Sequence, residues 1–309
     1  MSFVPDNNIK VSVSIITYNH EKFIAKTIES VLSQEVNFKY EIIIGDDHSS
    51  DSTRKILMKY QEEYPELIHL ILHPRRYKEI PGRTNNTTNI YACQGKYIAL
   101  LDGDDYWVSK NKLQTQVDFL DAYKDYALSF HDAKLISEEN SFIANFFSEK
   151  YAYLYQDASF NHKDVVNEWF VPTSSLVFRN NLIKEFPAWF WKVYSADYAL
   201  LLLLSQHGKL RFFKNLTSVW RRNNSSFTSV IKLDSTAGID LRLVERKIFR
   251  ENFELVKASK TEAHFNYMHS ILLARRKSYI KMAYYAGKCV FNDLSYLGKY
   301  LTGFKKRFK

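Results

Sequence analysis

Cysteine is scarce. Two residues in 309, Cys93 and Cys289, cannot frame a disulfide scaffold in a chain of this length, so a reducing, cytoplasmic setting is the expectation. Long apolar runs are missing as well. The run Tyr198–Leu204 is seven residues, against the roughly 18–20 that cross a bilayer, and a membrane-spanning helix is excluded. No apolar signal core precedes the first strand-like segment, so export is not expected. Nine glycines and six prolines leave no low-complexity linker and mark no boundary before about residue 225. Neither G-x-G-x-x-G after the first strand nor G-x-x-x-x-G-K-[ST] anywhere occurs, which disfavours a dinucleotide oxidoreductase and a P-loop NTPase. What remains is ordinary globular composition, 46% hydrophobic and 25% charged, which excludes disorder and fibres.

The charge is unevenly spread. Of the net +9, residues 257–309 carry +10, with 12 Lys/Arg against Glu262 and Asp293, so residues 1–256 sum to −1. A nucleic-acid partner would need a basic stripe across the folded domain, and none is present. In the basic tail, Tyr284, Tyr285, Val290, Phe291, Leu294, Tyr296, Leu297, Tyr300, Leu301 and Phe304 interleave with the lysines. That pattern suits an amphipathic helix on an anionic membrane surface, a peripheral contact at the inner face of the cytoplasmic membrane. It equally suits a helix that packs its apolar stripe on the body.

Four apolar runs of strand length, Val11–Tyr18, Tyr40–Asp46, Ile68–His73 and Lys96–Leu101, read as buried parallel strands. Helical patterns alternate with them. Phe23, Ile24, Thr27, Ile28, Val31 and Leu32 form one stripe between Glu21 and Gln34. Ile56, Leu57, Tyr60 and Tyr64 form the next, with Asp51 or Ser52 able to cap it. Thr84–Gln94 is the third helix, with Gly95 as its expected C-terminal cap. This alternation predicts an α/β fold, a doubly wound, mostly parallel sheet with helices on both faces and clefts at the strand carboxyl ends. Farther on, Lys112–Tyr123 and Ala196–Gln206 read as helices, Tyr126–His131, Thr173–Phe178 and Leu210–Trp220 as strands, and the chain from Asp240 as a mostly helical extension.

Chemistry is expected just past the strands. The first ends in Thr17-Tyr18-Asn19, the second in Gly45-Asp46-Asp47-His48, the fourth in Leu101-Asp102-Gly103-Asp104-Asp105. Three carboxylates in four residues repel one another unless a cation compensates. Residues i and i+2 of an extended segment project to the same side, so Asp102 and Asp104 can converge on one hard metal, Mn²⁺ or Mg²⁺, completed by phosphate oxygens and water. Standing alone, the same D-x-D also reads as an acidic, helix-capping turn.

Val11 to Asn19, Glu29-Ser-Val-Leu-Ser-Gln34, Ile44 to Asp51 and Gly95 to Asp105, in this order, resemble the family 2 glycosyltransferases of GT-A fold. Tyr106-Trp107 and Lys112-Leu-Gln-x-Gln116 resemble their bacterial surface-polysaccharide branch. The resemblance implies inverting transfer of a sugar from a nucleotide-diphosphate donor, a UDP-sugar by the match at Asp47, to a glycan or lipid-linked acceptor hydroxyl. It places Thr17 and Tyr18 around the base, Asp47 on the base edge, Asp104 on the metal, and Asp102 on the ribose or the metal. Arg83, with Arg76 as its rival, falls where a cation approaches the diphosphate. Thr173, Ser174, Arg221 and Arg222 fall on the acceptor or diphosphate side.

Asp197 matches the general base, and its place at the start of an apolar helix keeps a carboxylate ionised; Asp132 is the less favoured alternative. Asn223 departs from the pattern, standing where relatives often carry a histidine. The implied division is residues 1–105 for the nucleotide-sugar, 106–230 for the acceptor and 231–309 for the basic helical extension. Two other readings stay open. One is a silent GT-A-like partner of another transferase; the other, a sugar nucleotidyltransferase, lacks the glycine-rich loop it would need after the first strand.

Overall fold

The computed structural model describes residues 8–76, 82–150, 157–167, 169–222, 236–253 and 279–294, with single positions between 263 and 273. Strands and helices alternate first: β1 (Ile9–Thr17), α1 (Ile24–Leu32), β2 (Lys39–Asp46), α2 (Thr53–Glu63), β3 (Ile68–Leu72), α3 (Arg83–Ala92), β4 (Tyr97–Asp102). Then follow β5 (Tyr106–Trp107), α4 (Lys112–Ala122), β6 (Tyr126–Ser137), β7 (Phe142–Asn145), α5 (Phe146–Lys150), β8 (Ala158–Phe160), α6 (His162–Asn167) and β9 (Val177–Arg179). The last elements are α7 (Ala196–Ser205), β10 (Lys209–Arg222), α8 (Thr236–Asn252) and α9 (Tyr279–Asn292). Residues 1–162, 170–186 and 200–223 build one compact unit, and 163–169, 187–199 and 224–309 build a second. No helix among the described residues is long and apolar enough to cross a membrane.

The first unit is organised by one sheet of order β3-β2-β1-β4-β9-β6-β10-β5. The β1, β2, β3 and β4 pairings are parallel, as is β6 with β10, while β9 lies antiparallel between β4 and β6. The expected mostly parallel α/β sheet is present, and its first four strands fall within a residue or two of the runs read from sequence. Val11, Val13, Ile15, Ile42 and Ile44 are fully buried, and so are Ser12 and Ser14 on the opposite face of β1, because both faces are covered. Helix α1 turns Ile24, Thr27, Ile28 and Val31 inward, the stripe expected of it.

Two local expectations need correction, and one alternative is decided. Gly95 does not cap α3, which ends at Cys93 in extended backbone. Instead a Cβ at Gly95 would lie 2.5 Å from Ser12 N, so the glycine serves the close approach to β1. Thr173–Ser175 is a 3-10 turn rather than the start of a strand, and β9 begins only at Val177. At α2 the cap is Asp51, whose Oδ1 accepts from Thr53 N at 3.0 Å; Ser52 makes no side-chain cap bond.

The Lys112/Gln116 pair is buried in the sheet's second half. Lys112 Nζ donates to Gln116 Oε1 at 2.8 Å and lies 4.3 Å from the centre of the Trp107 ring. Gln116 Nε2 in turn donates to Ser129 O and Ser175 O, both at 3.0 Å, tying α4 to β6 and to the 3-10 turn. Nearby, His131 is buried and stacks on Phe213 at 5.0 Å. Burial first, and the closeness of Lys112 second, push its imidazole down to about 3.

The unfolded imidazole titrates near ~6.5. Below that pH the unfolded chain takes up a proton that the folded chain refuses, so stability falls as pH drops from about 6.5 towards 3. At about pH 4.5 the loss is roughly 2–3 kcal/mol. The fall in Tm between neutral and mildly acidic buffer is therefore expected to be smaller in His131→Phe than in wild type; equal falls would mean that His131 is not the group responsible.

Candidate active site

Strand β1 pairs with β2 on one side and β4 on the other, so the chain leaves β1 in two directions and opens a crevice at the carboxyl ends. Thr17 is in register with Asp46, and Ile16 with Asp102. Past the strands, Asp47 N donates to Thr17 O at 2.9 Å and Gly103 N to Ile16 O at 2.8 Å. Thr17, Asp47 and the D-x-D segment are thereby brought to one edge. Thr17 Oγ1 is buried there without a hydrogen-bond partner.

The loops after β1 and β2 lock each other. Asn19 and His48 adopt left-handed backbone, φ 55° and 65°. Asn19 N donates to Ser49 Oγ at 2.9 Å, and Asn19 Oδ1 accepts from Ser50 N at 2.8 Å. Asp46, fully buried, accepts from Ser49 N at 3.0 Å and is held by the Ser49 hydroxyl and the Arg54 guanidinium. The first acid of the pair is thus committed to structure, and Asp47 follows it, also buried. The Arg76 guanidinium stacks 3.7 Å from the centre of the Tyr18 ring, a cation–π contact. Arg83, its rival, is the buried first residue of α3.

The acidic turn is held from beneath. Thr27 Oγ1 donates to Gly103 O at 3.0 Å and Asp105 O at 2.6 Å. Arg221 is buried, and its contacts hold the turn: its N donates to Asp105 Oδ1 at 2.8 Å, Nε to Asp104 O at 3.1 Å and Nη1 to Asn140 Oδ1 at 2.8 Å. Burial first, then Asp104 and Asp102, raise the Asp105 carboxyl well above the usual carboxylate range.

Asp104 is the exception among these acids. Among the described residues its carboxylate accepts no hydrogen bond, and its ion-pair partner is His20, with Nε2 3.9 Å from Oδ2. A Cβ on Gly103 would lie 2.7 Å from Thr17 Oγ1 and 2.9 Å from His20 Nδ1, so the middle of this D-x-D has room only for glycine. Beside Asp102 a small cavity of about 10 Å³ is lined by Ser14, Ile16, Asn86 and Thr173. Ser174 turns away from it, accepting from Trp107 Nε1 at 2.8 Å and donating to Ser218 Oγ at 3.3 Å. Arg222 is exposed at the end of β10, and Asn223 lies outside the described residues.

In the second unit, Asp197 is exposed in the first turn of α7. Just before it, Ser195 N and Oγ both donate to Glu245 Oε1 at 2.6 Å, a buried acid whose carboxyl is raised by burial. Asp132, the alternative base, is buried and accepts from Ala133 N at 2.8 Å, Phe147 N at 2.7 Å and Ser148 N at 3.1 Å, so its carboxylate is spent on the entry to α5.

Sequence reasoning missed His20 and the anchoring by Arg221. The first was signalled by its place directly after Thr17-Tyr18-Asn19. The second lies 116 residues from its partner Asp105 and left no local trace. Glu245, in the other unit, was missed for the same reason.

A family model described as glycosyl transferase family 2 matches residues 12–185. The chain belongs to this family. An uncharacterized protein of Mycobacterium bovis is 30% identical over 74% of this chain, which spans 64% of that protein's length. The Escherichia coli UDP-Glc:alpha-D-GlcNAc-diphosphoundecaprenol beta-1,3-glucosyltransferase WfaP is 38% identical over 37% of this chain and 42% of its own. The Staphylococcus aureus TarS fragment 1–349, solved in complex with UDP-GlcNAc, superposes with a TM-score of 0.58 at 18% identity, covering 88% of this chain and 73% of that one. The likeness to TarS shows the GT-A fold.

A divalent cation fits this family 2 site on its own donors. Among the described residues no three His, Cys, Asp or Glu side chains converge as a closed cage. The Asp104 carboxylate, which faces the His20 imidazole but accepts no hydrogen bond among the described residues, matches Mg²⁺ or Mn²⁺, which take one or two protein carboxylates and fill the shell with phosphate and water. The crowding of Asp102, Asp104 and Asp105 predicts that Asp105→Asn stabilises the ligand-free chain. The amide oxygen still accepts from Arg221 N, while a carboxyl that burial and its two acidic neighbours already push towards the neutral form no longer has to ionise there. A Tm rise of roughly 2–4 °C, what about 1 kcal/mol gives in a chain of this order, is expected in metal-free buffer. An unchanged or lowered Tm would show that the repulsion is already relieved.

Proposed function

We propose that this family 2 chain transfers a sugar from a UDP-sugar to a hydroxyl of a glycan or lipid-linked acceptor, inverting the anomeric centre. The observation that carries the reading is Asp104, a carboxylate left without a hydrogen bond among the described residues, at the strand-end crevice beside Thr17. In this reading Thr17 and Tyr18 frame the base and Asp47 accepts a hydrogen bond from its edge. Asp102 meets the ribose. Arg83 approaches the diphosphate, with Arg76 on the Tyr18 ring as its rival. Residues 1–105 form the nucleotide half and 106–230 the acceptor half, with Thr173, Ser174, Arg221 and Arg222 on the acceptor or diphosphate side. Residues 231–309 are the basic extension.

Asp104, joined by Asp102, would hold Mn²⁺ or Mg²⁺, which supplies charge neutralisation at the leaving diphosphate. Asp197 accepts the proton of the acceptor hydroxyl. The oxygen's electron pair forms the new bond to the anomeric carbon as the bond to the diphosphate breaks on the opposite face and UDP departs. A base so used is worth about 10²–10⁴ in rate. The names of TarS and WfaP, one solved with UDP-GlcNAc and one acting from UDP-Glc on a diphosphoundecaprenol-linked sugar, support the donor and acceptor classes. A lipid-linked acceptor fits work at the inner face of the cytoplasmic membrane, with the basic extension as the peripheral contact.

Thermal melting with UDP-, GDP-, dTDP- and CMP-sugars, with and without Mn²⁺, tests the donor end. A UDP-sugar at about 100-fold over its Kd stabilises by roughly 2.7 kcal/mol. The expected result is a metal-dependent rise in Tm with the UDP-sugar alone, lost in Asp104→Ala. No shift from any nucleotide in the folded protein would overturn the reading. At the acceptor end, Asp197→Asn is expected to keep the donor-induced shift and lose about 10²–10⁴ of the transfer rate; unimpaired transfer would remove Asp197 from the base role.

A further inference from the structure

Helix α9 is apolar on two sides. On one side Cys289 is fully buried and packs with Ala263 and Tyr267 in the core of the second unit. Ile280 stands nine residues before Cys289, about two and a half turns away, and so on the opposite side. That side is open: Ile280 is 89% exposed, Tyr284 56%, Phe291 88% and Leu294 75%. Ile280, Tyr284, Gly287 and Phe291 follow a 4-3-4 spacing that keeps them in one line down the helix, and Leu294 lies two residues past its end. Among the described residues a Cβ at Gly287 would meet nothing within 4 Å, so none of them covers the centre of the line. Lys281 and Lys288 flank it on one edge, both exposed, and Lys288 Nζ lies 4.5 Å from the centre of the Tyr284 ring.

We infer that the Ile280–Tyr284–Phe291 face of α9, with Leu294 just past the helix end, is the surface that enters an anionic membrane, with the helix lying flat and Lys281 and Lys288 reaching the headgroups. The inference rests on the membrane-contact reading above and assigns it to one face. Charge selects the occupant. The segment 257–309 carries +10, so a second copy of this chain would set that charge against itself, whereas an anionic lipid surface neutralises it. An apolar line of aromatic and aliphatic side chains edged by lysine is also the form in which a helix enters the headgroup boundary without spanning it. The 14 residues of α9 give about 21 Å of such contact.

The full chain would be floated with vesicles of phosphatidylcholine alone and of phosphatidylcholine with roughly one-third phosphatidylglycerol, while size-exclusion chromatography without lipid reports self-association. The variants are Ile280→Ser/Phe291→Ser and Lys281→Glu/Lys288→Glu, both on exposed positions, with thermal melting to show that each folds. Wild type is expected to bind only the anionic vesicles. Each variant should bind them at least about tenfold more weakly, since burying one such apolar side chain, or reversing two lysines at an anionic surface, is worth at least that much. If the serine variant floats like wild type, the face is wrong although contact through tail charge survives. If wild type binds neither vesicle, both the face and the membrane reading fall. A wild-type dimer that the serine variant converts to monomer would assign the face to a second copy and overturn the inference.

Discussion

Three carboxylates within four residues, at the end of a strand buried on both faces, repel one another in a medium that screens them poorly, and the chain around β4 is arranged to tolerate this. Arg221 is carried from the far end of β10 to bond the turn through its backbone N–H and its guanidinium. Thr27 reaches from α1 to two carbonyls of the same turn, and Gly103 lets it close against Thr17 and His20. All these contacts fix the backbone of the turn, and one of them also satisfies Asp105. The carboxylate of Asp104 remains, with the His20 imidazole 3.9 Å away and no hydrogen bond accepted among the described residues. A fold that spends this much on holding a loop while leaving its foremost carboxylate without a hydrogen bond has prepared that charge for something that arrives from solution.

Three buried acids of the first unit show the contrast. Asp46 has Ser49 and Arg54, Asp132 has three backbone N–H groups, and Glu41 has the Ser12 hydroxyl and Gln94 N. Each is matched because an ionised carboxylate inside a protein is costly unless hydrogen-bonded. Sequence alone ranks these acids poorly, since Asp46 and Asp47 are adjacent and identical. The geometry separates them: Asp46 is sealed into the turn, whereas the N–H of Asp47 continues the ladder to Thr17. In the second unit Glu245 is likewise matched, by Ser195, immediately before the helix that carries Asp197.

What was legible in the sequence follows the range of the interactions involved. Strands β1 to β4 and the helices between them are set by local periodicity, and they were found within a residue or two. The D-x-D and the two polar strand ends were legible because they directly follow apolar runs. Gly95 was misread because a helix cap and a close backbone approach both select glycine, and only the neighbouring strand distinguishes them. Thr173–Ser175 was read as strand because a short polar turn between apolar residues has no period of its own. The hold of Arg221 on the acidic turn was not legible, because it reaches Asp105 from 116 residues away, a pairing that no spacing rule encodes.

The same physical rule reads both ends of the chain. A polar group kept near water with its hydrogen-bonding capacity unused, and an apolar face left in water, are each costly when isolated and each become favourable when a partner binds. Among the described residues Asp104 is the first case and the outer face of α9 the second. Their charges differ in sign, and so do the partners they select. A residue sum of −1 over 1–256 leaves the body without a general pull on anions, so a nucleotide diphosphate must be met by particular groups, a cation on Asp104 and the arginines near Tyr18 and α3. The +10 of the final segment pulls on any anionic surface, and there specificity is supplied by the line of apolar side chains, which rewards only a partner able to take them out of water.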